Sequence, residues 1–221
     1  MAPVDVEEFE TLGRVWFRNL IPAQAVADLA HLCDAGDRPG LRLGLGDELR
    51  SRLSAQSKAL ANFHVDPNPV RLVSFNKSPA ANWSVPWHQD RVIAVAERRM
   101  TDGYANWVPK EGFWHCEPPL DILKGMIFVR IHFDDCDKSN GAMELALRSH
   151  SNGLVDARRA REIAEASEIE TCEAKAGDVL IAKALILHRS ATANVATTRR
   201  ALRIDYANRE MLAPELTWAV S

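Results

Sequence analysis

The sequence predicts a mainly β domain with flanking helices, in which two sheets form a jelly roll and helices precede the barrel. Seven or eight short apolar runs separated by turn residues fill the chain from Val70 to Tyr206, a pattern typical of sandwiches and barrels. Apolar residues at helical spacing are concentrated in the first third of the chain. The length of 221 residues fits one such domain.

Local signals give the individual elements. Proline in the first turn and apolar residues at helical spacing predict a helix over Pro22–Asp34, and alternating β-branched and aromatic residues predict the strands. The other predicted helices are Asp47–Ala61 and Ala157–Ala166. The predicted strands are Val15–Phe17, Val70–Phe75, Val92–Ala96, Met126–Phe133, Ala142–Leu147, Ile169–Cys172, Val179–Ala182, Leu185–His188 and Ala201–Tyr206.

These elements predict a single domain over residues 1–221. Residues 1–69 form a helical and mixed part that packs on the barrel, residues 70–207 form the jelly-roll core, and residues 208–221 form a C-terminal tail. Residues 97–125 contain several prolines and glycines and little periodicity. Connections of that length in a compact domain are usually lids or binding loops, so we expect a long lid-like loop here.

Charge and composition restrict the partners. The formal net charge is −3 and the isoelectric point is near 6.2, which gives no basic surface for nucleic acid or for an anionic membrane. The longest apolar run, Val179–Leu187, contains Lys183 and is too short to span a bilayer. We therefore expect a soluble protein that acts on a small molecule. The sequence does not predict an oligomeric state.

Cysteine usage favours a reducing compartment. The four cysteines are scattered and form no CxxC pair, so neither a disulfide framework nor a zinc knuckle is indicated. The N-terminal residues are acidic and lack the pattern of a signal peptide. A cytoplasmic location is the resulting prediction. The cysteines are Cys33, Cys116, Cys136 and Cys172.

The most specific chemical signal is a set of side chains that lie far apart in the sequence. His88-Gln89-Asp90 precedes His188 by about one hundred residues, and Arg199 follows His188 by eleven. Two imidazoles and one carboxylate on one face of an octahedral ion are the ligands of non-haem Fe(II) oxygenases. The guanidinium of Arg199 could bind the carboxylate of a cosubstrate. We interpret the set as that of an iron- and 2-oxoglutarate-dependent oxygenase.

The pattern of a histidine two residues before an acid is weak evidence by itself. With seven histidines and thirty acidic residues in the chain, chance alone predicts about one such pair. A jelly-roll site needs the upstream pair and the downstream histidine at the same end of the barrel, which four intervening strands provide. The pairs present are His64-Val65-Asp66, His88-Gln89-Asp90, His115-Cys116-Glu117 and His132-Phe133-Asp134.

The number of predicted strands favours His88 as the upstream ligand. Four strands are predicted between that pair and His188, whereas three follow the pair that begins at His132. His115 lies in the proline-rich loop, and His64 adjoins a Pro-Asn-Pro turn. His132 is therefore the second choice.

Several segments of the chain together resemble the phytanoyl-CoA dioxygenase family. The resemblance runs from about Val70 to Tyr206, and the order and spacing of the segments are those of the family. Leu147-Arg148 departs from it, since proline and glycine are usual there. The segments are Pro86-Trp87-His88-Gln89-Asp90, Asn140-Gly141-Ala142, Arg148-Ser149-His150, Gly177-Asp178-Val179 and His188-Arg189-Ser190 with Arg199.

This resemblance implies a double-stranded β-helix, a cupin-like barrel, around Fe(II), which 2-oxoglutarate chelates and where O2 reacts. By position, the metal ligands would be His88, Asp90 and His188, which are also the catalytic residues. Arg199 and the Ser190 hydroxyl would hold the distal carboxylate of 2-oxoglutarate, and Asn76 would be a further contact to it. The implied reaction is hydroxylation of a C–H bond in a small organic molecule, with release of succinate and CO2.

Three further residues have no definite role in the sequence. Arg203 alternates onto the strand face of Arg199 and is a candidate for contact with substrate or with the metal ligands. Arg130 and His132 share a strand face that either contacts substrate or is the outer one. The alternative functions are a cupin-like metalloprotein with isomerase or hydrolase chemistry, and a catalytically silent metal-binding barrel.

Overall fold

The computed structural model describes residues 6–34, 38–44, 46, 49, 51, 69–195 and 198–219. The helices are α1 (Val6–Leu12), α2 (Ala23–Leu29), α3 (Leu120–Gly125) and α4 (Ala160–Glu165). The strands are β1 (Arg14–Phe17), β2 (Gly40–Leu43), β3 (Pro69–Lys77), β4 (Val85–His88), β5 (Ile93–Val95), β6 (Ala105–Lys110), β7 (Phe113–Glu117), β8 (Ile127–His132), β9 (Met143–Ala146), β10 (Ile169–Thr171), β11 (Val179–Lys183), β12 (His188–Ser190) and β13 (Arg199–Tyr206).

These strands form three sheets. The large sheet has the order β1-β11-β8-β13-β3-β2, and the small sheet has the order β10-β9-β12-β4. Every neighbouring pair in both sheets is antiparallel. A separate three-stranded sheet has the order β5-β7-β6. The prediction of a mainly β, double-sheet jelly roll preceded by helices is confirmed.

Strand alternation divides the large sheet into an outer and an inner face. On β8, Ile127, Val129 and Ile131 point to the side that the N-terminal helices cover, where they pack with Phe9 of α1. Phe128 points to the opposite side and packs with β9 residues of the small sheet. The space between the two sheets is therefore the interior of the barrel, and Arg130 shares the inner face with Phe128.

Two predicted features differ from the structure or lie outside it. Residues 97–125 contain the β6–β7 hairpin and α3, where the sequence indicated a loop. The hairpin was missed because nearly every β6 residue is exposed, so the strand carries no apolar alternation. The predicted helix Asp47–Ala61 falls outside the described residues. No helix among the described residues has both the length and the apolar character needed to cross a membrane.

Candidate metal centre

Strand pairing brings the two distant histidines side by side. β4 and β12 are antiparallel neighbours, and His88 lies directly opposite His188 in their register. The centroids of the two imidazole rings are 4.2 Å apart. Asp90 follows β4 by two residues, and one of its oxygens lies 3.2 Å from Nε2 of His188. One potential ligand atom from each of the three residues can be chosen so that all lie within 4.8 Å of one another.

Backbone carbonyls orient both imidazoles. Nδ1 of His88 lies 2.8 Å from the carbonyl oxygen of Pro86, and Nδ1 of His188 lies 3.0 Å from that of Ile186. Each carbonyl can accept a hydrogen bond from Nδ1–H, which leaves Nε2 unprotonated and available to a metal ion. Burial, and then the neighbouring imidazole of His188, lower the pKa of His88. Both effects favour the neutral imidazole, which is the form that binds metals.

A network of charges holds Asp90 ionised. Burial alone would raise the pKa of Asp90, but the guanidinium of Arg203, the neighbouring His188 and the charge of Arg71 together outweigh burial and hold that pKa well below its usual range. Nη1 of Arg203 donates to Asp90, and its Nε donates to Asp205 at 2.7 Å. Arg71 also pairs with Asp205. The sequence left the role of Arg203 open, and the structure places it against Asp90.

Gln89 anchors the segment that carries the two upstream candidates. Its Nε2 donates to the carbonyl oxygens of Gly153 and Leu185, at 2.8 and 2.7 Å, and its Oε1 accepts from the backbone N–H of Val155 at 2.9 Å. The side chain is buried. Three hydrogen bonds therefore fix the backbone between His88 and Asp90, a function that the sequence pattern did not reveal.

The three candidate ligands line a cavity of about 230 Å³ between the two sheets. Arg199 and Arg203 also line the cavity. Arg203 follows Arg199 by four positions on β13, so their Cα atoms are about 13 Å apart. Arg203 lies at the end with Asp90, so Arg199 marks the other end. Ser190 lies in the wall, and apolar surface comes from Phe75, Trp83, Val85 and Met143.

Arg199 is a buried cation without an acidic partner among the described residues. Its side chain is 2% exposed, and its Nε has no hydrogen-bond partner. Its Nη1 lies 4.0 Å from Sγ of Cys136. A buried guanidinium without a counterion is unfavourable. An anion in the cavity would supply the missing charge.

Lys77 is a second buried cation near Arg199, and the sequence pattern did not predict it. The side chain is fully buried, and its Nζ donates to Oγ of Ser190 at 3.0 Å and to the carbonyl oxygen of Ala191. Burial, followed by the charges of Arg199 and Arg130, lowers the pKa of Lys77 to about 8. Alternation with Phe75 along β3 was the signal that could have placed it on the inner face.

Asn76 is not brought to the cavity. It pairs in register with Arg200 and lies on the opposite face of β3 from Lys77. Its side-chain oxygen is buried and has no hydrogen-bond partner. The structure thus unites His88, Asp90, His188, Arg199 and Ser190 around one cavity and leaves Asn76 outside.

Arg130 and His132 both lie on the inner face of β8, in different surroundings. Arg130 lines the cavity. His132 stacks on Trp16 with ring centroids 5.7 Å apart, and burial, with the charge on Arg130, lowers its pKa to about 3. His132 is therefore a neutral core residue, separate from the three candidate ligands.

The remaining histidine–acid pairs lie apart from this cluster. Nε2 of His115 accepts a hydrogen bond from Nε of Arg42 at 3.2 Å, and burial, with the charge of Arg42, lowers the pKa of His115 to about 4. His64 falls outside the described residues. Within the described ranges, His88, Asp90 and His188 are the only group of three or more potential ligands that the geometry brings together.

The residues present fit Fe(II) with a dianionic chelator. Two neutral imidazoles and one carboxylate leave the centre with net positive charge and open coordination positions. The orphaned guanidinium of Arg199 offers a fork for a second carboxylate at the far end of the same cavity. The structure thus provides a place for each end of a molecule with two carboxylates.

Comparison with known proteins agrees with this geometry. The family model described as "Phytanoyl-CoA dioxygenase (PhyH)" matches residues 13–201, which is most of the chain. No curated protein matches it.

Solved structures match the fold. AviO1 from Streptomyces viridochromogenes Tue57 aligns with a TM-score of 0.62 at 20% identity, over 97% of this chain and 98% of that one. The non-heme alpha ketoglutarate dependent carbocyclase SnoK from nogalamycin biosynthesis aligns with a TM-score of 0.64 at 14% identity, over 95% of this chain and 85% of SnoK. HygX from Streptomyces hygroscopicus, with nickel and 2-oxoglutarate bound, aligns with a TM-score of 0.60 at 15% identity, over 93% of this chain and 87% of HygX. At these identities the likeness establishes the cupin-like jelly roll.

Proposed function

The chain belongs to the phytanoyl-CoA dioxygenase family, and from this membership and its cavity we propose that it is an Fe(II)- and 2-oxoglutarate-dependent oxygenase. One observation carries the proposal. Three potential metal ligands, all within 4.8 Å of one another, share a cavity with Arg199, a buried cation that has no acidic partner among the described residues. The donors suit Fe(II), and the guanidinium suits the distal carboxylate of 2-oxoglutarate.

Each residue would have a separate task. His88 and His188 would bind the ion through Nε2, and Asp90 would supply the carboxylate oxygen, kept ionised by Arg203. Arg199 and the Ser190 hydroxyl would bind the distal carboxylate. A bidentate pair of this kind contributes about 1.5–3 kcal/mol net, enough to favour a diacid over a monoacid. The apolar walls would limit the entry of water.

The reaction we propose is hydroxylation of a C–H bond in a small organic molecule. Iron and 2-oxoglutarate, held by His88, Asp90, His188 and Arg199, would supply this chemistry: one oxygen atom of O2 would end in succinate, released with CO2, and the other in the hydroxylated product. Asp90 favours this outcome over halogenation, because related halogenases have a small residue in place of the acid. The protein residues bind and orient the reactants.

The partners follow from the same reasoning. SnoK is described as a carbocyclase of nogalamycin biosynthesis, so structural neighbours act on small organic molecules. We propose a small-molecule substrate for this chain. We also propose a cytoplasmic location, because Cys33, Cys116, Cys136 and Cys172 are buried free thiols, as expected in a reducing compartment.

A cupin-like metalloprotein with non-oxidative chemistry is less well supported. An isomerase or hydrolase with Zn(II), or a silent metal-binding barrel, needs no dicarboxylate. Neither function would explain why Arg199 is buried in the cavity without an acidic partner among the described residues. The oxygenase explains both the ligands and the arginine.

Iron-dependent succinate formation tests the proposal. Replacing His188 or Asp90 with alanine removes one of three ligands, so we expect 2-oxoglutarate turnover to fall to the background level. Succinate can be measured with Fe(II), 2-oxoglutarate and O2, with or without candidate substrates. His31→Ala is the matched control, since His31 is exposed and its helical turn packs on the outer face of the large sheet, opposite to the cavity. Full turnover in His188→Ala or Asp90→Ala would overturn the proposed site.

A further inference from the structure

The two ends of the cavity differ in how their charges are balanced. At the candidate metal end, Arg203 and Arg71 pair with Asp90 and Asp205. At the other end, Arg189 pairs with Glu144, but neither Lys77 nor Arg199 has a carboxylate partner among the described residues. That end therefore carries an excess of buried positive charge, which favours a bound anion.

Arg130 belongs to this unpaired group. It lines the same cavity as Arg199, is 6% exposed, and its Nε has no hydrogen-bond partner. Its Cζ lies over the ring of Phe75, 5.2 Å from the centroid. Phe75 pairs in register with Ala201, two residues from Arg199, so the guanidinium of Arg130 extends towards that end of the cavity. Burial, followed by the charge of Arg199, lowers the pKa of Arg130 to about 10.

Arg130 reaches this region through its long side chain. Its backbone lies opposite Arg203 in the pairing of β8 with β13, and Arg199 lies on the same face of β13 as Arg203. The position of its guanidinium over Phe75 places that group between the levels of Arg203 and Arg199. A carboxylate placed between the two guanidinium groups could accept hydrogen bonds from both, because each of its oxygens has two lone pairs.

We propose that Arg130 and Arg199 jointly bind the distal carboxylate of 2-oxoglutarate, so that the cosubstrate is held by a pair of arginines. This inference rests on the proposed function and assigns Arg130 as a second residue that determines cosubstrate specificity. The anion relieves the repulsion between the guanidinium groups when it binds. Selection against a 2-oxo acid that lacks the distal carboxylate is therefore stronger than one arginine provides.

Calorimetry with two ligands tests the inference without turnover. Ni(II)-loaded protein is titrated with 2-oxoglutarate and with 2-oxopentanoate, which has the same chain length and no distal carboxylate. In Arg130→Met, the Kd for 2-oxoglutarate rises by about 10- to 100-fold, the loss expected for hydrogen bonds to a charged group. The Kd for 2-oxopentanoate stays within about twofold, because that ligand never meets the arginine pair.

Two further variants control the experiment. Arg200→Met removes the neighbour of Arg199 that faces away from the cavity and pairs with Asp134, so it leaves both dissociation constants unchanged. Arg130→Lys keeps the charge with fewer donors, gives an intermediate loss for 2-oxoglutarate, and replaces the methionine variant if that protein does not fold.

The outcomes separate this inference from the proposed function. If the wild-type protein does not discriminate between the two ligands, the proposed function fails. If it discriminates and Arg199→Met abolishes the preference while both Arg130 variants retain it in full, the inference about Arg130 is overturned and the oxygenase proposal stands. An equal loss of affinity for both ligands in Arg130→Met would also overturn it, since a general disturbance of the cavity would then explain the result.

Discussion

Lys77 illustrates how burial and charge act on a single residue, which lies behind Ser190 of the cavity wall. Its ammonium group is fully buried, contacts Ser190, and lies 4.9 Å from the centroid of the Trp83 ring. The positive charges of Arg199 and Arg130 and the loss of hydration all disfavour the charged form. A carboxylate bound nearby would favour it. We therefore expect Lys77 to couple proton binding to anion binding.

We expect the affinity for 2-oxoglutarate to fall as the pH rises through about 8, the pKa of Lys77 in the ligand-free protein. Below that pH the ammonium attracts the distal carboxylate, and above it the attraction is lost. Calorimetry of the Ni(II)-loaded protein between pH 7 and pH 9.5 measures the effect. Lys77→Met should bind more weakly below pH 8 and lose this part of the pH profile. An unchanged profile in Lys77→Met would exclude Lys77 as its origin.

The same residue affects stability in a defined direction. Its folded pKa of about 8 lies below the ordinary lysine pKa of 10.5, so the unfolded chain binds more protons between these values. The free energy of unfolding therefore gains a contribution as the pH rises from about 8 towards 10.5 and loses it as the pH falls through 8.

The sequence predicted which residues belong to the site better than it predicted which residues of a strand point into the barrel. His88, Asp90, His188, Arg199 and Ser190 were all selected from the sequence, and the structure gathers them around one cavity. Asn76 was selected and Lys77 was not, although they are adjacent. A shift of one residue along a strand exchanges the two faces, and the sequence did not fix which residue of β3 points inward.

At the scale of elements, the pairing of β4 with β12 positions the candidate ligands. Gly141 contacts the C-terminal end of β12, at Ser190 and Ala191. Gly141 precedes β9 and has φ of +72°. A Cβ at this position would lie 2.6 Å from the carbonyl oxygen of Ala191 and 2.9 Å from Nζ of Lys77. The backbone carbonyl of Gly141 also accepts a hydrogen bond from Ser190 at 3.1 Å. Glycine allows this close approach between the loop and the end of β12.

Gly141→Ala should lower the free energy of unfolding by more than backbone strain alone would. The strained backbone conformation costs about 1–3 kcal/mol, and the contacts below 3 Å add to that loss. Gly112→Ala is the matched control. Gly112 also has positive φ, at +85°, but a Cβ there would meet nothing within 4 Å, so only about 1–2 kcal/mol is expected. Chemical denaturation of both variants gives the comparison, and equal losses would contradict the role assigned to the close approach.

The strands that the sequence predicted well are those buried on regular faces. Met126–Phe133 was predicted where β8 runs from Ile127 to His132, and every residue of β8 is buried. β4 was missed because it is four residues long and contains Pro86, which signals a turn. The predicted strand Leu185–His188 ends where β12 begins. Its apolar residues form a buried turn, and composition does not distinguish that turn from a strand.

At the scale of the whole molecule, the charge that lines the cavity differs in sign from the net charge of the chain. The chain carries a formal net charge of −3, yet Arg130, Arg199 and Arg203 converge on one internal cavity. The net charge does not predict such a cavity, because the placement of buried charges depends on which strand faces meet in the fold. Two sheets with antiparallel strands bring residues about one hundred positions apart into register, and only the folded barrel assembles the site.

The most direct test of this account is a crystal structure of the protein with Ni(II) and 2-oxoglutarate. We predict one metal ion bonded to Nε2 of His88, Nε2 of His188 and an oxygen of Asp90, with the cosubstrate extending from the ion to Arg199. An ion bound elsewhere, or a cosubstrate whose distal carboxylate lies away from Arg199, would contradict the central claim.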